Sequence, residues 1–153
     1  MKTLYLECAM GAAGDMLMAA LYELCEEKEQ FLREMDGLIP GVSLEAERVT
    51  RQGIAGTHMR VRVHGQEEGH EHHHDHGHHH HHEHRSLGEI EAMIEGFPLP
   101  EAVREAAKAV YGLIAAAESR CHGVEVGEVH FHEVGALDAV MDVTGVCYLM
   151  YLL

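Results

Sequence analysis

The chain has 153 residues, and 26 acidic against 11 basic side chains give it a formal net charge of −15 at pH 7. This charge disfavours nucleic acid and anionic membranes as partners, and the longest apolar stretch, 143–153, is too short for a membrane-spanning helix. No signal-peptide pattern follows the first residue. We therefore expect a single cytoplasmic domain, 1–153, whose four cysteines are reduced and mostly buried.

The first half of the chain predicts a strand, two helices and a hairpin. Residues 3–7 alternate like a short strand and lead through a glycine loop into a helix at about 15–24. A second helix is expected at 28–38. Strands at 43–51 and 57–64 should form a hairpin, because apolar and charged side chains alternate there.

A histidine-rich segment occupies 65–85, which contains no hydrophobic residue and cannot be buried. We expect a flexible insertion there. Imidazole suits nickel, copper or zinc better than calcium or magnesium, and the loose spacing favours several exchangeable ions over one defined site. A solubilising linker or a purification tag is the alternative. The candidate metal-binding histidines are His70, His72, His73, His74, His76, His78, His79, His80, His81, His82 and His84.

The second half predicts three more helices and a strand. Ser86 and Glu89 form a capping-box pattern at the start of the first helix. A long helix at 101–120, a strand at 124–132 and an apolar helix from 136 follow. The predicted buried face of the long helix is Val103, Ala106, Val110, Leu113 or Ile114, and Ala117.

This order of elements predicts an α/β or α+β fold, with a small sheet of about four to five strands packed with helices. The chain stops within an apolar helix that has no polar tail and no C-cap. We therefore expect it to be the N-terminal domain of a longer or two-part protein, with the flexible insertion at 65–85.

A candidate metal site with defined geometry lies where the last strand meets the last helix. His130 and His132 would project to one face of the strand, and Asp138 and Asp142 are four residues apart on one helix face. Two imidazoles and two carboxylates at one corner can hold an ion, with Glu133 at the bend. A solvated helix face beside a polar strand edge is the alternative, but the acids have apolar neighbours, where an unpaired charge is costly.

A glycine loop before the first helix is a candidate phosphate site. Gly11 and Gly14 follow the first strand, and free backbone N–H groups at a helix start can hold a phosphate. Asp15 would contact a metal or the substrate, or act only as a helix cap. A Walker loop is excluded, because the Gly-Lys-Ser/Thr ending is absent.

Three pieces of the sequence resemble one family, in the same order. They are LYLECAMGAAGDM at 4–16, a histidine-rich insertion after a short hairpin, and VHFHEVGALDAVMDVTG at 129–145. The chain resembles, from end to end, the N-terminal part of the nickel insertion proteins of nickel-pincer cofactor biosynthesis, the LarC family. The resemblance implies a nickel chelatase of the lyase class that inserts Ni(II) into pyridinium-3,5-bisthiocarboxylic acid mononucleotide.

The resemblance also implies CTP with a divalent metal, acting through a C-terminal region that this sequence lacks. The implied partners are the thiocarboxylated pyridinium mononucleotide, the C-terminal part of the same protein and an apo nickel-pincer enzyme such as lactate racemase. A homo-oligomer is also expected.

The residue motifs and the family resemblance together predict a role for each candidate group. The histidines at 70–84 would collect Ni(II), the corner at 130–142 would hold it, and the glycine loop would receive the mononucleotide phosphate. Glu133 or Asp138 would act catalytically by accepting the proton lost when the nickel–carbon bond forms. A non-enzymatic nickel store or metallochaperone is the main alternative. A magnesium-dependent phosphatase is a second one, which the histidines disfavour because Mg²⁺ prefers oxygen ligands.

Overall fold

The structure is a computed structural model that describes residues 3–9, 11–66 and 85–153. The helices within these ranges are α1 (Gly14–Leu24), α2 (Lys28–Met35), α3 (Leu87–Glu95), α4 (Glu101–His122) and α5 (Leu137–Leu152). The strands are β1 (Val42–Arg51), β2 (Ile54–Val63), β3 (Arg85–Ser86) and β4 (His130–Phe131). Two 3-10 turns, Val126–Glu128 and Glu133–Gly135, lie on either side of β4.

The mixed α/β class predicted from the sequence is confirmed. In the described ranges the strands form two separate two-stranded antiparallel sheets. β1 and β2 make the predicted hairpin, in which Gln52 and Gly53 turn the chain with φ angles of 51° and 82°, as a tight two-residue hairpin turn requires. Residues 3–7, predicted as a strand, belong to neither sheet.

The core lies where α1, α5 and the hairpin pack together. α1 and α5 run side by side in the same direction, because Gly14 approaches Asp142 and, one turn further along, Gly145 approaches Met18. The hairpin contributes the inner face that its alternation predicts: Val42, Leu44, Met59 and Val61. This packing places the start of α1 beside the first turns of α5.

The long helix α4 buries a different face from the one predicted. Its buried residues lie at four-residue spacing: Val103, Ala107, Tyr111 and Ala115. The predicted face is only partly used, since three of its members are exposed: Ala106, Leu113 and Ala117. Alanine and valine occur at so many neighbouring positions that two overlapping stripes satisfy the helical period. The observed stripe brings Tyr111 to the turn before α5.

β3 and β4 connect the start of α3 to the turn before α5. Ser86 pairs with His130 across this small sheet. The predicted capping box is confirmed, because the Ser86 hydroxyl accepts from the Glu89 backbone N–H and the Glu89 carboxylate accepts from the Ser86 backbone N–H. These hydrogen bonds hold the pKa of Glu89 below its usual value.

The prediction of a strand at 124–132 is wrong over most of that range. Val126–Glu128 forms a 3-10 turn, and only His130–Phe131 pairs with another strand. Gly127 breaks the run of side chains in the middle of the alternation, so the segment has no continuous apolar face to bury.

The histidine-rich segment falls largely outside the described residues, and the prediction of a flexible insertion with its eleven histidines concerns that part of the chain. Both of its described ends are paired. Gln66 forms a bridge with Val63, and Arg85 pairs with Phe131.

All four cysteines are free, as expected. The expectation that they are mostly buried is met only in part, because Cys25 is buried and Cys147 partly buried, whereas Cys8 and Cys121 are exposed. In the described ranges no helix is both long and apolar enough to cross a membrane.

Candidate functional site

The first turns of α1 and α5 bring acidic residues together. A Cβ placed on Gly14 would lie 2.6 Å from the Asp142 Cβ and 2.7 Å from its Oδ2, so glycine alone permits this approach. The backbone N–H of Asp15 donates a hydrogen bond to the Asp142 carboxylate. The N-cap residue is Ala13, which has no side-chain cap to offer, so Asp142 caps α1 from a neighbouring helix. The alternative that Asp15 is the N-cap is therefore wrong.

The carboxylates of Asp15, Asp138 and Asp142 lie near one another at this contact. Burial, followed by the negative charges of Asp15 and Asp138, raises the pKa of Asp142 to about 7. Among the described residues, Asp138 Oδ1 and Asp142 Oδ1 are buried and have no hydrogen-bond partner. A buried carboxylate oxygen without a donor is unfavourable. The pair is therefore suited to take up a cation or a proton.

Side chains from two distant elements hold the turn that precedes α5. The Tyr111 hydroxyl donates to the Val134 carbonyl at 3.0 Å, and Arg85 Nη1 donates to the Gly135 carbonyl at 2.8 Å. Burial, followed by the charges of the two α5 aspartates, raises the pKa of Tyr111. The phenol therefore lies near both acids while it orients the turn. Neither Tyr111 nor Arg85 was predicted from the sequence to have a role at this site.

The predicted histidine ligands lie at the other end of this turn and are exposed. His130 is in β4, and its charge acts on the nearby Glu89 carboxylate. His132 comes after the end of β4, with φ −88° and ψ −93°, so the two histidines do not extend from one strand as predicted. Glu133, the predicted proton acceptor, begins the 3-10 turn and is exposed.

No three His, Cys, Asp or Glu residues within the described ranges are grouped closely enough to hold a metal ion. The structure brings Asp138 and Asp142 together with Asp15, and it separates the histidines from them by the length of the turn. The combination of both histidines with both aspartates around one ion stays a prediction.

The glycine loop forms a tight turn directly before α1. The Gly11 N–H donates to the Cys8 carbonyl at 3.1 Å, and Gly11 has a φ of 105°, which favours glycine. The loop is exposed, but a phosphate at this helix start would meet the charges of Asp15 and Asp142. Phosphate binding here therefore requires a cation between the phosphate and the acids.

Tyr111→Phe is expected to lower the free energy of unfolding by roughly 1–2 kcal/mol, because the Val134 carbonyl loses its donor in a partly buried setting. Urea denaturation measures this loss. Tyr5→Phe is the matched control, since Tyr5 is 82% exposed and its hydroxyl should contribute nothing. An equal response of the two variants would contradict a structural role for the Tyr111 hydroxyl.

The family model described as nickel insertion protein matches residues 4–153. The chain belongs to the nickel insertion protein family. This result confirms the family resemblance found in the sequence motifs, and the matched region contains every described residue of the candidate site.

Several relatives named for nickel insertion match almost the whole chain. The pyridinium-3,5-bisthiocarboxylic acid mononucleotide nickel insertion protein of Lactiplantibacillus plantarum is 43% identical in an alignment that covers 96% of this chain and 36% of the relative. A relative from Geotalea daltonii, also named for nickel insertion, is 40% identical over 148 residues, covering 95% and 34% of the two chains. The chain thus spans about a third of the length of the curated relatives it matches. No solved structure gives a significant match.

Proposed function

We propose that this nickel insertion family chain binds Ni(II) and takes part in its insertion into pyridinium-3,5-bisthiocarboxylic acid mononucleotide. Nickel is the cargo of this reaction. The observation that carries the proposal is the pair Asp138 and Asp142, each with a buried Oδ1 that has no hydrogen-bond partner among the described residues, within a family match over residues 4–153. The name of the Lactiplantibacillus plantarum relative supports the choice of substrate.

In this proposal the two aspartates supply oxygen ligands, and His130 and His132 supply nitrogen ligands. Ni(II) accepts both donor types. The histidine side chains are exposed, and exposed side chains change rotamer within nanoseconds, so we expect them to turn toward the ion when it enters. A bound dication also offsets the repulsion among Asp15, Asp138 and Asp142.

Insertion is then an exchange of ligands. The two sulfurs and the pyridinium carbon of the substrate replace the oxygen and nitrogen donors of the protein. The proton lost from that carbon as the nickel–carbon bond forms passes to Glu133 or Asp138. The substrate phosphate binds at the start of α1, near Gly11, Gly14 and Asp15, where the ion offsets the neighbouring acids.

The remaining steps are proposed for the rest of the protein. CTP and its divalent metal act through the C-terminal part, and the finished cofactor passes to an apo nickel-pincer enzyme such as lactate racemase. A homo-oligomer in the cytoplasm is the proposed form of the protein.

The test of the site is Asp138→Asn in a variant lacking 67–84, which removes the loose nickel binding expected from the histidine-rich segment. The deletion spares Arg85, because its side chain holds the Gly135 carbonyl. We expect the deletion variant to keep one tighter Ni(II) equivalent, and Asp138→Asn to weaken it at least roughly tenfold, since the amide keeps the shape and removes the charge. Titration calorimetry measures both affinities. Glu128→Gln, which removes one charge at an exposed position, is the matched control.

Unchanged nickel affinity in Asp138→Asn would contradict the proposed site. Anaerobic reconstitution with nickel, CTP, the thiocarboxylated mononucleotide and the C-terminal part then tests insertion itself. Full activity of Asp138→Asn in this assay would reduce the chain to a histidine-rich nickel store, which is the alternative function.

The histidine-rich segment itself predicts several Ni(II) equivalents per complete chain at about pH 7.5. Binding should be lost progressively below about pH 6, as imidazoles with a pKa of ~6.5 take up protons and cease to be ligands. Titration calorimetry of the intact chain at about pH 7.5 and again below about pH 6 measures the stoichiometry. A single equivalent or fewer at the higher pH would show that the segment is not a nickel store.

A further inference from the structure

Residues 3–7 form an apolar segment that pairs with no other described part of the chain. Leu4, Tyr5 and Leu6 are 38%, 82% and 49% exposed. No residue of 3–7 forms a backbone hydrogen bond with another described residue. Water can hydrogen-bond to these exposed backbone groups, but an apolar segment with open backbone groups resembles an unpaired sheet edge, which is a template for pairing with another strand.

The composition of this segment is that of a strand. Leu4 and Leu6 are less exposed than Tyr5 between them, which is the two-residue period of a strand with one face toward its own chain. The segment leads through the Gly11 turn into α1, whose inner side is part of the core. A strand that feeds a packed helix in this way normally belongs to a sheet, yet neither described sheet contains it.

We propose that residues 3–7 pair as a β-strand with a strand from the part of the family's proteins that this chain does not match. The family match begins at residue 4, so the segment belongs to the shared region. The relatives from Lactiplantibacillus plantarum and Geotalea daltonii extend well beyond that region, since the chain covers only 36% and 34% of them. This inference rests on family membership and not on nickel binding.

The open backbone groups and apolar side chains of residues 3–7 favour a protein strand as their binding partner. Strand addition pairs the open N–H and C=O groups along one edge of the segment, and the alternating apolar side chains add specificity. A second copy of this chain is the less favourable occupant. A strand elsewhere in the same polypeptide is held at a higher effective concentration than a strand of a separate molecule.

Backbone hydrogen exchange tests the proposal. In this chain alone, the amides of residues 3–7 should exchange at nearly unprotected rates. In the full-length Lactiplantibacillus plantarum relative, the matching amides should exchange at least roughly 100-fold more slowly. A fusion of this chain to the unmatched part of that relative should show the same protection, with the amides of α4 as the reference for correct folding.

Two substitutions in the fusion separate strand pairing from general stabilisation. Leu6→Asp should restore fast exchange at 3–7, because it places a charge on the less exposed face. Tyr5→Thr should keep the protection, because threonine suits a strand and Tyr5 is on the more exposed face. If the α4 amides of the fusion are unprotected, the fusion is not correctly folded. Exchange in the full-length natural relative then decides whether residues 3–7 are paired.

Fast exchange of the matching amides in the full-length relative would overturn the proposal. Protection in this chain alone, together with a dimer in sedimentation analysis, would overturn it in favour of a second copy. Nickel affinity, measured in the same samples, is independent of both results, so its loss would count against the proposed function and not against the strand pairing.

Discussion

Asp142→Asn is expected to raise the thermal midpoint of the metal-free protein by roughly 10 °C at about pH 8 and to change it little at about pH 4. The pKa of Asp142 is about 7 in the folded chain and 3.8 as its ordinary value. As the pH rises, the unfolded chain therefore loses this proton first, and stability falls between about pH 4 and pH 7 and stays low above that range. At roughly 1.4 kcal/mol per pKa unit, the ionised group costs on the order of 4 kcal/mol.

The neutral amide avoids this cost and still offers an oxygen to the Asp15 backbone N–H. Differential scanning calorimetry with a chelator present, at both pH values, measures the effect, and Glu128→Gln controls for the loss of one surface charge. A loss of stability at about pH 8 would mean that the Asp142 carboxylate acts only as a helix cap. Added Ni(II) should stabilise the wild type at this pH more than Asp142→Asn, because the variant lacks the charge that attracts the ion.

Gly14→Ala is expected to lower the free energy of unfolding by roughly 2–3 kcal/mol. The new methyl group would lie 2.6 Å from the Asp142 Cβ, which is fixed to the backbone of α5. The start of α1 and the first turns of α5 must then separate. Urea denaturation measures the loss, and we expect a weaker nickel affinity as well, because Asp142 changes position relative to Asp15.

Gly145→Ala is the matched control on the same pair of helices. Its methyl group would lie 2.6 Å from Met18 Sδ, and the end of a flexible methionine side chain is displaced more easily than a Cβ that is fixed to a backbone. Alanine also favours the middle of a helix over glycine by about 1 kcal/mol. The variant should therefore be close to the wild type in stability, and a larger loss than that of Gly14→Ala would contradict the packing of α1 on α5 described above.

Features that depend on neighbouring residues were predictable from the sequence. The capping box of Ser86 and Glu89 requires only a three-residue spacing at a helix start, and the structure contains it. The hairpin follows from alternation, which sorts side chains onto two faces wherever the strands pair. The spacing of Asp138 and Asp142 likewise places both on one side of α5.

Features that depend on distant contacts were not predictable. Nothing near Tyr111 in the sequence shows that its hydroxyl meets Val134, and nothing near Arg85 shows that it meets Gly135, because these contacts join separate elements. The same holds for the Gly14 approach to Asp142. A glycine loop before a helix predicts an open anion site by local rules, whereas the fold places a carboxylate of another helix there.

Gln66 pairs with Val63, and Arg85 pairs with Phe131, on either side of the histidine-rich stretch. These pairings hold both ends of the intervening stretch by contacts that do not involve its own side chains. The entropy of closing a loop grows only with the logarithm of its length, so doubling the stretch costs about 0.6 kcal/mol. We therefore expect that residues can be added to or removed from this stretch with little effect on the stability of the fold, and that its proposed nickel capacity can change independently of the α1 and α5 contact.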